Sequence, residues 1–179
     1  MAKVKASDFL RATQGRTARI AASASASRGH GSGVTQAARK FLGDLDLRKF
    51  RDKDAAVFRK RLNRETGKLV RSLPSGARSW GLARKLLNIF LRDALYTTYL
   101  RDRFRLGAAE ELLEIPLDSI TAGHLRKDAG RGVLPRWAGV KHLTPTANGH
   151  YQRQAAKLAR EQGLARVHLD TFWWGERVG

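Results

Sequence analysis

The sequence has no cysteine, and that absence removes several classes of protein. None of the 179 residues is Cys, which excludes disulfide scaffolds, zinc ribbons and Cys-ligated iron–sulfur clusters. The histidines do not fall at metal-ligand spacings with carboxylates, so we expect no metal and no other cofactor. A chain without cysteine fits a reducing compartment, and we expect a cytoplasmic protein, associated with the nucleoid if the source is prokaryotic.

Long apolar runs are also missing. No run approaches the roughly 20 residues that a membrane-spanning helix needs, and no apolar segment follows Lys3 and Lys5 as a secretory signal would require. We therefore expect no membrane partner. Strictly alternating apolar and polar runs, the pattern of half-buried strands, are absent too.

Acidic residues are scarce, with 16 Asp and Glu against 35 Lys and Arg, a formal charge of +19. The excess is concentrated in residues 1–105, where 25 basic and 8 acidic residues give +17; residues 106–179 have 10 and 8, which gives +2. Cations that neutralise phosphates release counterions and bind polyanions in a salt-dependent way. The charge predicts a polyanion as the partner, with membrane-surface binding and a ribosomal role as the competing explanations, and among these we expect nucleic acid. Nothing in the sequence indicates an obligate protein partner.

Helical periodicity runs through most of what remains. It predicts an all-α fold, with one compact helical domain over residues 34–179 that is long enough to bury a core. Residues 1–33 contain the small-residue segment AASASASRGHGSG at 21–33. That composition is typical of a linker, so residues 1–33 are predicted to form a basic, partly flexible N-terminal arm.

The most informative stretch is an apolar helix predicted from about Arg78 to Arg103. Lys85, Asn88 and Arg92 share its narrow polar stripe, because they stand three, four and seven positions apart. Downstream, Pro116 is predicted to open a short helix that carries Asp118 in its first turn. Apolar surroundings lower the pKa of a lysine and make its amine nucleophilic. A nearby carboxylate can stabilise an oxocarbenium-like transition state or move a proton.

These residues resemble the helix-hairpin-helix DNA glycosylase superfamily, in particular its oxoguanine glycosylase/lyase members. The family has a hairpin followed by a pattern like Gly-x-Gly-x-Lys-x-Ala-x-x-Phe-Leu-Arg, and this chain has Gly81-Leu82-Ala83-Arg84-Lys85, then Leu87, then Phe90-Leu91-Arg92. Ala83 and Leu87 replace small family residues, and Ile120 stands where many members have histidine. The resemblance implies a helix-hairpin-helix element, a nucleophilic Lys85 and a catalytic Asp118. It also implies double-stranded DNA as the partner, from which a damaged or modified base is excised.

Further residues are assigned to DNA. The groups predicted to contact phosphate or to line the base pocket are Arg78, Gly81, Arg84, Asn88, Arg92, Arg59, Lys60, Arg64 and Lys68. Enzymes that act on a base take it out of the duplex, and Trp80 and Phe172 are the candidates to stack on the extruded base.

Other interpretations stay open from the residues alone. The chain is alternatively a non-enzymatic nucleic-acid-binding protein, architectural or RNA-associated, with Lys85 touching phosphate and Asp118 serving only as a helix cap. A weaker resemblance, His124-Leu125-Arg126 followed by Tyr151, points to the tyrosine recombinases.

Overall fold

The computed structural model describes residues 5–23, 26–27 and 29–175, and these residues form helices and connecting turns without any strand. The predicted all-α class is confirmed. The α-helices are α1 Ala6–Ala21, α2 Val34–Gly43, α3 Ala55–Ser72, α4 Trp80–Tyr96, α5 Thr98–Phe104, α6 Ser119–Ala129, α7 Pro145–Glu161 and α8 Leu169–Gly175. Short 3-10 turns lie at Leu47–Phe50, Ser75–Ala77, Leu106–Leu112, Val140–His142 and Arg166–His168.

Helix α4 is the central element, because apolar residues occupy almost every side of it. It begins where the Ser79 side chain accepts the Leu82 N–H at 3.2 Å, and it ends at Thr97. The prediction of one helix to Arg103 is wrong there: Thr97 has extended backbone angles (φ −86°, ψ 102°) and α5 starts afresh at Thr98. The Thr97 hydroxyl donates to the Asp93 carbonyl at 2.8 Å, which satisfies a backbone group at the break.

Two apolar clusters lie on either side of α4. The larger one is built from α1 to α5, and the smaller one from α6, α7, α8 and the loops that join them. The apolar faces of α4 belong to the first cluster, whereas its polar stripe faces α6 and α8 through ion pairs to Asp118 and Asp170. The candidate site therefore lies between the two halves of the molecule.

The N-terminal segment differs from the arm predicted for residues 1–33. Residues 6–21 form helix α1, which packs on α2 and α4 and buries Ala18 and Ala21 almost completely. The Gln14 side-chain amide donates to the carbonyls of Leu42, Gly43 and Leu45 at 2.8–3.2 Å, and so satisfies the end of α2. Residues 1–4, 24–25 and 28 of the predicted arm lie outside the described residues.

Gly81, predicted to contact DNA, is instead buried in the first turn of α4. A Cβ added there would overlap the Val140 carbonyl oxygen and lie 2.7 Å from the Leu143 Cβ. The glycine is needed because the Val140–His142 turn packs directly on the backbone of α4. It offers no surface to a phosphate, so that assignment is wrong.

We expect Gly81→Ala to lower the free energy of unfolding by about 1–3 kcal/mol, because the methyl group overpacks this contact. Gly123→Ala is the matched control. Gly123 lies within α6 with no atom within 4 Å of an added Cβ, so alanine should stabilise the protein there by about 0.5–1 kcal/mol. Equilibrium urea unfolding measures both effects, and equal values for the two variants would contradict the tight packing at Gly81.

Candidate active site

Lys85 and Asp118 meet, as the sequence predicted. Lys85 lies on the polar stripe of α4, and its Nζ is 3.9 Å from the Asp118 Oδ2 at the start of α6. Only 13% of the Lys85 side chain and 14% of the Asp118 side chain are exposed. The two groups therefore form a largely buried ion pair, of which a small part remains exposed to solvent.

Asp118 is also a helix cap, so the alternative interpretation of that residue holds as well. Its Oδ1 accepts the N–H groups of Ile120 at 2.9 Å and Thr121 at 3.1 Å. The Thr121 hydroxyl in turn accepts the Asp118 N–H, which completes a capping box. The two roles use different oxygens: Oδ1 fixes the carboxylate to the N-terminus of α6, and Oδ2 faces Lys85.

The environment of Lys85 favours the neutral amine. Burial lowers the pKa of Lys85, and the nearby carboxylates of Asp118 and Asp170 oppose that effect without cancelling it. His30, from the loop before α2, belongs to the same surroundings: its own burial and the charges of Lys85 and Lys141 lower its pKa. No pattern in the sequence indicates that His30 lies near Lys85.

Arg92 lies two turns further along α4 and is held by carboxylates. Its Nε is 2.9 Å from the Asp93 Oδ1, and its Nη1 binds the Asp170 Oδ2. Asp170 is 2% exposed, and burial raises its pKa to about 6 although Arg92 acts to lower it. The assignment of Arg92 to DNA is therefore corrected to an internal ion pair, and Asp170 is a site residue that the sequence analysis did not assign.

Arg84 and Asn88 are buried as well, with 3% and 2% exposure, and they bind Glu114 rather than a phosphate. The Arg84 Nε lies 3.1 Å from the Glu114 Oε2, and the same oxygen accepts the side-chain amides of Asn88 and Asn148, each at 3.2 Å. Arg84 also donates to the Thr66 hydroxyl at 2.9 Å. This buried network joins α3, α4 and α7, so the DNA assignment of both residues is wrong.

The cations predicted along α3 divide into two kinds. Arg59, Lys60 and Arg64 are exposed, and none of them has an ion-pair partner in the part of the chain that the structure describes. Lys68 instead pairs with the buried Glu65 at 3.0 Å. Arg78 is exposed, but its guanidinium donates to the Leu73 carbonyl at 3.2 Å.

The two base-stacking candidates differ in exposure. Trp80 is half-buried, and the Arg84 guanidinium covers one face of its ring at 4.8 Å. Phe172 on α8 is 60% exposed. Next to it, Trp173 stacks on His124 of α6 with the rings 4.8 Å apart and nearly parallel.

A hollow of about 420 Å³ lies on the outer face of α6 and begins one residue after Asp118. Its lining residues are Ser119, Ile120, Gly123, His124 and Lys127.

Tyr151, the nucleophile of the recombinase interpretation, is 1% exposed and donates its hydroxyl to the Pro135 carbonyl at 2.7 Å. It has no access to a phosphodiester, so that interpretation is wrong. Within the described ranges, no group of three or more His, Asp or Glu side chains is arranged to hold a metal ion.

No family model matches the chain, and neither a curated protein nor a solved structure matches it. Among the described helices, none is both long and apolar enough to cross a membrane. The function proposed below therefore rests on the residues of the site and on the charge of the chain.

Proposed function

We propose that the protein is a DNA glycosylase with an associated lyase step, in which Lys85 attacks C1′ of a nucleotide that carries a damaged or modified base. The observation that carries the proposal is the 3.9 Å approach of the Lys85 amine to the Asp118 carboxylate in a largely desolvated position. An amine with a lowered pKa beside a fixed carboxylate is what covalent base excision requires.

Lys85 and Asp118 have different roles in the proposed chemistry. The Lys85 nitrogen forms a bond to C1′ as the glycosidic bond breaks, and the base leaves with the bonding electrons and takes up a proton. The Asp118 carboxylate stabilises the positive charge that develops on the sugar and accepts a proton from the amine. The nitrogen lone pair then expels the ring oxygen: the C1′–O4′ bond breaks, O4′ takes up a proton, and a Schiff base forms between Lys85 and C1′. Loss of a C2′ proton and departure of the 3′ phosphate follow, which cleaves the strand.

The charge distribution supports duplex DNA as the substrate. The formal charge of +19 and the exposed cations Arg59, Lys60 and Arg64 supply phosphate contacts whose affinity falls with salt. The exposed ring of Phe172 is available to stack on an extruded base.

A second candidate is a non-enzymatic nucleic-acid-binding protein. One observation favours it: Asp118 already has a structural task as the cap of α6, and the exposed cations of α3 need no active site to bind a polyanion. That candidate gives Lys85 no covalent chemistry, so the two proposals make opposite predictions in a trapping experiment.

Borohydride trapping of the wild-type protein tests the proposal. We expect a covalent adduct on at least one member of a duplex panel that carries an abasic site, oxoguanine, uracil or bulky modified cytosines, because borohydride reduces the Schiff base to a stable amine. Unmodified duplex of the same sequence is the control. Absence of both an adduct and base release on every duplex would support the binding protein instead.

A further inference from the structure

Two ion pairs lie side by side along α4. Lys85 and Arg92 are seven residues apart, so they share one face of the helix at a separation of roughly 10 Å along its axis. Asp118 from the start of α6 faces Lys85, and Asp170 from α8 binds Arg92. Helices α6 and α8 also contact each other, which brings the two carboxylates into one cluster.

Asp170 differs from the other carboxylates of this cluster in its burial. Its side chain is 3% exposed, against 14% for Asp118 and 16% for Asp93. A fixed charge at that depth acts on its neighbours through little water and is weakly screened by salt. The charged and titratable groups that face this cluster from the surrounding elements are Asp118, Asp170, Arg92, Asp93, Tyr96, His30 and Lys141.

We propose that Asp170, anchored by Arg92, is a positioning residue whose charge controls how readily Lys85 gives up its proton. The inference rests on the proposed function only in taking Lys85 as the nucleophile. Asp170 touches neither the sugar nor the base in this scheme and acts through Lys85.

The direction of the effect follows from the charges. Burial lowers the pKa of Lys85, while ionised Asp118 and Asp170 raise it. The pKa of Asp170 is about 6, so near neutral pH it is mostly ionised and holds the proton on Lys85. As the pH falls through about 6, Asp170 becomes neutral and no longer stabilises the protonated form of Lys85. Loss of the Asp170 charge lowers the pKa of Lys85 over the same pH range. The fraction of Lys85 in the amine form therefore falls less steeply with falling pH than it would if Lys85 titrated alone.

The test measures the Lys85 proton without DNA. Full-length protein is labelled with a trace of acetic anhydride across a pH series, and acetylation of Lys85 is quantified by peptide mass spectrometry. In Asp170→Asn the amide keeps the shape and an acceptor for Arg92 but removes the charge. We expect its Lys85 titration midpoint to fall by about one pH unit, with roughly tenfold faster acetylation near neutral pH. Asp102→Asn, an exposed aspartate paired with Arg101, should leave the midpoint unchanged.

An unchanged or higher midpoint in Asp170→Asn would overturn the inference. A purely structural role of Asp170 would make Lys85 more accessible to water in the variant, which raises its midpoint or leaves it unchanged, because burial is what lowers the pKa of Lys85. If Asp170→Asn does not fold, the wild-type profile decides: an inflection near pH 6 supports the inference, and a straight logarithmic profile through that region overturns it.

The labelling and trapping experiments separate the two proposals. A shifted midpoint together with no adduct on any duplex would leave the control of Lys85 standing and reject the glycosylase. A Lys85-dependent adduct together with an unshifted midpoint would do the reverse.

Discussion

Substitution of Lys85 by glutamine is expected to abolish the borohydride-trapped adduct on a substrate duplex while leaving duplex affinity within about threefold of wild type. The adduct is lost because the amide nitrogen of glutamine does not form a Schiff base. The affinity persists because the excess of cations spreads phosphate binding over many contacts, of which one is a small part. Gel-shift titration at fixed salt gives the affinity, and denaturing electrophoresis after reduction gives the adduct.

Lys157→Gln is the matched control for that substitution. Lys157 lies exposed on α7 without an ion pair among the described residues, so the variant makes the same chemical change away from the site and should form the wild-type amount of adduct. Thermal melting of both variants checks the fold, since Lys85→Gln removes a partner of Asp118. An adduct that survives in Lys85→Gln would place the nucleophile elsewhere, and a large uniform loss of affinity without any activity would favour the binding protein.

The positions of Lys85 and Asp118 on their helices were predictable because each residue carried a local signal. Helical periodicity placed Lys85 on a polar stripe, and the proline before Asp118 marked a helix start. Each signal concerns a few neighbouring residues, which is the range over which sequence patterns are reliable. The 3.9 Å approach of the two side chains depends on where the start of α6 lies relative to α4, and there the prediction came from the family resemblance.

The site residues that were assigned wrongly or missed share one physical cause: their partners lie in segments that are distant in the sequence. The polar stripe of α4 was identified correctly, but Asn88 is covered by Glu114, which arrives from the segment after α5. No pattern near Asn88 in the sequence indicates that partner. Asp170 was missed for the same reason, since its contact with Arg92 joins α8 to α4.

Helix α1 differs from the arm predicted for residues 1–33 for another reason. The composition typical of a linker lies at residues 21–33, of which only Ala21 belongs to α1, and small side chains bury little apolar area each. Yet small side chains also allow helices to approach closely, and Ala18 and Ala21 lie against the core for that reason. Ala83 and Leu87 on α4 make a related point: both departures from the glycosylase pattern are fully buried, so packing within this fold determines their size.

Some cations of this protein are exposed and others are buried, and the buried ones affect the free energy of unfolding. Arg59, Lys60 and Arg64 are exposed and available to a polyanion, whereas Arg84 and Arg166 are committed to the interior around Glu114. Burial lowers the pKa of both of these arginines, and Glu114 opposes the shift. Glu114 thus acts on two desolvated cations at the junction of the two halves of the fold, and Glu111 adds to its effect on Arg166.

Glu114→Ala is therefore expected to lower the free energy of unfolding by about 3–5 kcal/mol, because it leaves Arg84 buried without its counter-charge and removes the acceptor of two side-chain amides. Glu114→Gln keeps an acceptor oxygen and should cost less. Glu161→Ala, at an exposed position at the end of α7, should change stability by no more than about 0.5 kcal/mol. Urea unfolding monitored by tryptophan fluorescence measures all three. A value for Glu114→Ala close to that of Glu161→Ala would mean that Glu114 does not hold Arg84 inside, and Arg84 would again be a candidate for binding phosphate.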